Sequence, residues 1–124
     1  MTYVMFLTLE DEFGPKPYLK VVKKNQDVAR NKNGPQKLSW HLSDNAYKGT
    51  VHSFRWLDPV PPNTFGPAVP TPAGKRFNMD DTYDSAASAG DFAYELKAKF
   101  GTKIYSTTPP VATAGVDDPT IRNR

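Results

Sequence analysis

The sequence contains no cysteine. Disulfides, thiolate metal sites and cysteine nucleophiles are therefore excluded, and so is a blue-copper centre of the kind small β-sandwiches carry, which needs a thiolate ligand. Long apolar runs are missing as well. The most hydrophobic stretch, YVMFLTL at 3–9, is far shorter than a membrane span, and the first residues show neither a basic leader nor a small-residue cleavage site. No membrane segment is expected, and a cytoplasmic location is expected for the sequence as it stands. There is no P-loop, no GxGxxG, no zinc-finger spacing and no Ser-His-Asp order. Neither a cofactor nor a catalytic role is expected.

Charge of one sign is also scarce. Lys and Arg number 16 against 13 Asp and Glu, a net charge of +3 with a sequence pI near 9.1. The densest basic run, Lys20 to Lys37, holds six cations and only Asp27 in opposition, but no aromatic residue to stack on bases. It reads as a solvated turn region, and nucleic acid is not expected as a partner.

What the chain has is interruption and aromatics: 12 prolines, 8 glycines, seven phenylalanines, six tyrosines and two tryptophans in 124 residues. That length supports one core, so residues 1–124 are expected to form one domain without long helices. Period-two alternation predicts a strand at 3–9 with both faces apolar, suited to a sheet covered on both sides. Further strands are predicted at 18–24, 37–43 (KLSWHLS), 51–57 (VHSFRWL) and, weakly, 75–79. The segment 25–36 has no sustained period. Strands 37–43 and 51–57 are close enough to pair as a hairpin, and a crossing between sheets is equally permitted. Residues 58–74 hold six of the twelve prolines and are expected to form a loop that packs on the domain through Val60, Phe65 and Val69. In GDFAYELKAKFGTKIYSTT, two alternating arms around Gly101 predict an antiparallel hairpin. The tail 109–124 reads as mostly irregular, with a short edge segment at 119–121.

About seven short antiparallel strands separated by turns predict an all-β sandwich. The run Asp91-x-Ala93-Tyr94-x-Leu96 resembles the sixth-strand signature of immunoglobulin-like domains, where a tyrosine precedes a core position by two residues, and Trp40 resembles their core tryptophan. The resemblance implies an Ig-like sandwich with leucine where immunoglobulins carry cysteine. It implies no particular activity, because this fold hosts many.

Candidate site residues are few. His41 and His52 could approach each other across a hairpin, with Asp44 or Asp58 as further metal ligands, but a closed site needs more ligands than these motifs supply. Asp80-Asp81 and Asp117-Asp118 are adjacent pairs, whose side chains point apart and suit turns better than catalysis, and DDTYD at 80–84 lacks EF-hand spacing. Pro59-x-x-Pro62 and Pro67-x-x-Pro70 lack the flanking cation of an SH3 ligand. Tyr47, Trp56 and Tyr105 could form an aromatic platform for a glycan or peptide. The function expected is a non-enzymatic interaction or structural module whose partners are proteins, copies of itself included, joined through sheet edges at 3–9 and 102–107. The alternative is a carbohydrate-binding module using the aromatic platform.

Overall fold

Met5, Leu7 and Leu9 alternate with Val4, Phe6 and Thr8, and the pleat turns the first set into the core along β1 (Thr2–Glu10). The computed structural model describes residues 1–109 and 117–124. Among them β1 lies between β2 (Tyr18–Val21) and β4 (Gln36–Leu42), followed by β7 (Arg76–Asp81) and β6 (Val69–Pro70), in the order β2-β1-β4-β7-β6. The second sheet has the order β3-β10-β8-β5, formed by β3 (Asn25–Val28), β10 (Thr120–Asn123), β8 (Gly90–Phe100) and β5 (Thr50–Trp56). β9 (Lys103–Ser106) returns along β8 after Gly101, whose φ of 65° suits the tight turn. The described residues contain no α-helix, only 3-10 turns at Asp44–Lys48 and Ala86–Ser88, and no helix is long and apolar enough to cross a membrane.

The two sheets face each other across an aromatic seam. Trp40 on β4 donates its indole N–H to the Tyr94 hydroxyl oxygen on β8 at 2.9 Å, with both side chains fully enclosed. Phe54 of β5 stacks on the Tyr94 ring at 5.2 Å and leans on Trp40 at 4.9 Å. Aromatic side chains bury roughly 150–250 Å² each, on the order of 4–6 kcal/mol apiece at about 25 cal/mol per Å². Leu38, Leu42, Leu96, Ala98 and Ile121 complete the seam.

Several expectations change. Not all strands are antiparallel: β1 runs parallel to β4, and β10 parallel to β3. β4 and β5 do not form a hairpin, because the chain crosses between sheets through Asp44–Lys48. β1 is an interior strand between β2 and β4 instead of the sheet edge expected at 3–9, and its outer face is uncovered, leaving Phe6 50% exposed against the edge of His41. β3 forms in the segment without a period, because Val28 docks fully into the core and β10 supplies its ladder. The weak strand at 75–79 is β7, which is paired on both sides, and 119–121 belongs to β10, an interior strand instead of an edge. Within 58–74, Phe65 packs on Trp56 at 4.3 Å, but Val69 turns outward at the sheet edge. Residues 110–116 of the tail lie outside the described residues.

A second seam contact is polar. Asp81 at the end of β7 is fully buried and accepts the Asn123 amide N–H at 3.1 Å, while Asn123 also donates to the Ser88 carbonyl at 3.0 Å. Asp81 Oδ2 and Asn123 Oδ1 are buried without a partner among the described residues. Two enclosed acceptors are costly, and a proton on Asp81 turns one into a donor. Burial accordingly raises the Asp81 carboxyl from 3.8 to about 6, against the opposing pull of the Asn123 hydrogen bond.

A carboxyl with a raised folded-state pKa binds its proton more tightly folded than unfolded. Stability from this group is thus complete below about pH 4 and lost as pH rises through about 6. The loss is at most about 3 kcal/mol at 1.36 kcal/mol per unit. Asp81→Asn, which supplies a permanent donor, should raise Tm at pH 7.5, leave it nearly unchanged at pH 4, and flatten the curve between. Thermal melts across that range check this, and equal destabilisation at both pH values would refute it.

Candidate functional site

The residues singled out by the sequence are scattered. Trp56 belongs to the interior cluster, against Phe54, Phe65, Phe92 and Tyr94. Tyr47 is 59% exposed on the Asp44–Lys48 turn, with the Lys75 ammonium 5.0 Å from its ring. Tyr105 packs on Phe100 at 5.7 Å beneath β9. No ring contact among the described residues joins Tyr47, Trp56 and Tyr105 into one platform.

The histidines lie on different sheets. His41 Nε2 is 2.8 Å from Ser39 Oγ, which also hydrogen-bonds Asn78 Oδ1 at 2.7 Å, across the outer faces of β4 and β7. Burial, followed by the nearby Arg76 charge, holds the His41 imidazole below its ordinary pKa, so it stays neutral at neutral pH. With its hydroxyl engaged by both neighbours and its residue buried, Ser39 links two strands. Asp80 faces outward to Lys37 while Asp81 faces inward, and Asp117 and Asp118 hold Lys24 and the Thr108 hydroxyl. No group of three His, Cys, Asp or Glu converges as metal ligands would among the described residues.

What the fold does assemble lies on the outer face of the second sheet. Strand alternation sends Ser53 and Arg55 of β5, Glu95 and Lys97 of β8, and Ser106 of β9 to the same side. Ser53, Glu95, Lys97 and Ser106 floor a groove of about 980 Å³ walled by Pro15, Lys16, Ile104 and Pro109, and Arg55 reaches Glu95 from beside it. A β-bulge between Val51 and Ser53 re-aims His52 into it. Glu95 is buried at its centre: Arg55 Nε donates to Oε1 at 2.6 Å, and the Ser106 hydroxyl donates to Oε2. Burial pushes the Glu95 carboxyl up, but the Ser106 and Arg55 hydrogen bonds and the Arg55 and Lys97 charges outweigh it, leaving the pKa below 4.5. Lys16 and Lys97 have no ion-pair partner among the described residues. The groove therefore carries unpaired cations, Lys16 on its wall and Lys97 on its floor, and is lined with hydroxyls.

β5 reaches the groove through His52 and Ser53. β5 is the last strand, paired with β8 on one side only. The Leu57 N–H bonds the Ala93 carbonyl, so the alternating pattern turns the peptide groups of Arg55 toward β8 and those of Phe54 and Trp56 outward. At its start the edge is closed, where the Val51 N–H donates to the Gly74 carbonyl at 2.7 Å. From His52 to Trp56 no backbone hydrogen bond among the described residues closes it.

No protein-family model matches the sequence, and a search of curated proteins finds no match. Glu95, Lys97 and Arg55 escaped the sequence reading because each merely occupies the polar side of its strand. Only the register that places Arg55 opposite Glu95 and Ser106 opposite Lys97 makes them one cluster.

Because the Glu95 pKa is lowered in the folded state, its contribution to stability is present above 4.5 and lost as pH falls through the folded value. Glu95→Gln should lower Tm at pH 7, with the deficit closing in acid. A deficit that persists unchanged at pH 3 would show that shape and not charge holds this cluster.

Proposed function

We propose that this chain is a non-enzymatic protein-interaction module with an immunoglobulin-like sandwich, and that it joins partner chains, copies of itself included, by strand addition to β5. The strand order supports the first half: β4-β7-β6 opposing β5-β8-β10 matches the B-E-D and C-F-G order of Ig-like sandwiches, with β1, β2, β3 and β9 as additions. Trp40 stands on β4, the counterpart of strand B, while β5, the counterpart of strand C where immunoglobulins carry their tryptophan, has Phe54 facing it.

The observation that carries the second half is the open edge. Phe54 and Trp56 offer two donors and two acceptors in register, which is the template that β-augmentation uses. At about 1 kcal/mol for each net hydrogen bond, four bonds amount to on the order of 4 kcal/mol, a millimolar contact before side chains add to it. A glycan reading draws support from Tyr105 beside Ser53, Ser106 and Thr108 in the groove, but Trp56, its expected second stacking face, is engaged in the interior.

Hydrogen exchange followed by NMR tests the edge directly. The Phe54 and Trp56 amides should exchange freely in dilute protein and gain protection as concentration rises, in step with the mass from light scattering. A monomer whose two amides stay unprotected from tens of micromolar up to millimolar, the range set by the four-bond figure, would rule out self-association through β5.

A further inference from the structure

We infer that the partner strand recognised at β5 is acidic, with carboxylates at every second position; the inference rests on the strand-addition reading above. A peptide hydrogen-bonded to Phe54 and Trp56 presents alternate side chains on the groove side. There they meet Arg55 and Lys97. Arg55 spends its Nε on Glu95 while its terminal nitrogens have no partner among the described residues, and its side chain is 67% exposed. Ser53, too small to screen its neighbour, separates the edge from Lys97 directly across the ladder. His52 projects beside them from the bulge.

Of the local acids, Glu95 is matched by Arg55 and Asp58 lies at the far end of the edge, where it accepts the Ala93 N–H at 2.8 Å, so the charge left unmatched beside Ser53 is that of Lys97. A peptide with acids at every second residue sets its carboxylates over the free N–H groups of Arg55 and the Lys97 ammonium, whereas a basic peptide meets like charge at both. The same alignment disfavours self-pairing centred on Arg55, which sets two guanidinium groups face to face, so an acidic strand competes well against a second copy.

The probe is a fluorescein-labelled peptide amide alternating valine and glutamate, compared with a valine–lysine counterpart and with a peptide of the same composition whose glutamates form one block. Fluorescence anisotropy should show the alternating acidic peptide binding roughly tenfold tighter than the block peptide and the lysine peptide failing to bind, with affinity falling as salt is added. Lys97→Gln, checked for an unchanged Tm, should weaken it severalfold and Lys97→Glu by about tenfold. The Phe54 and Trp56 amides should gain exchange protection in the complex. Amide protection without charge preference overturns the acidic class and leaves strand addition standing. Charge preference without protection, or displacement of the peptide by polygalacturonate with those amides still unprotected, overturns strand addition and points to an acidic glycan in the groove.

Discussion

The contact on which the rest of the molecule depends is the one between Trp40 and Tyr94. Each lies on a strand paired on both sides, one in each sheet, and their hydrogen bond is enclosed where no water replaces it. An indole N–H left without a partner in that setting costs about 1–3 kcal/mol, and a one-residue slip of β8 would turn Tyr94 out and Glu95 into the core. The register of the whole second sheet follows. With Tyr94 and Leu96 inward, Glu95 and Lys97 must face outward, and the pairing of Phe54 with Leu96 then brings Arg55 opposite Glu95. The groove is thus a consequence of the aromatic seam and not an independent construction.

The two buried acids illustrate how differently the fold treats a carboxylate. Glu95 is covered on the outer face but receives a guanidinium and a hydroxyl, which together more than offset desolvation and keep it ionised. Asp81 sits between the sheets with a single amide donor, so desolvation prevails. The contrast follows from position: a residue on the outer face of a sheet can recruit long side chains from neighbouring strands, while one in the seam has only what the facing sheet provides.

Much of the architecture was legible because it rests on period two. YVMFLTL, KLSWHLS, VHSFRWL and DFAYELKAKF each carry enough alternation to declare a strand and its inward face, and the β8–β9 turn announces itself at Gly101. Pairing was not legible. Nothing in the polar run Asn25–Val28 distinguishes it from a turn until β10 lies beside it, and parallel partners such as β1 and β4 leave no turn between them to read. The candidate site was hidden for the same reason. Tyr47, Trp56 and Tyr105 drew attention as aromatics, yet aromatic identity does not reveal which face of the pleat a side chain occupies, and Trp56 faces in. Arg55, Glu95 and Lys97 look like ordinary polar positions until registers on either side of β8 align them.

Of the outermost strands, β5 is the one whose edge is least protected against a partner strand. β6 is two residues long and contains Pro70, which has no N–H to offer. β3 and β2 are four residues each, and β3 is bordered by the bidentate Arg122–Asp27 pair, which ties its side chains to β10. Short strands and fixed charges are the devices by which sheets keep edges from pairing with other chains. β5 has seven residues, and its two protections, the Gly74 contact and the bulge, both lie at its first half. Its second half is left with outward peptide groups beside the Arg55–Glu95 pair and within reach of Lys97. On such an edge the backbone alone supplies a contact too weak to persist, and side-chain charge would decide which strand persists.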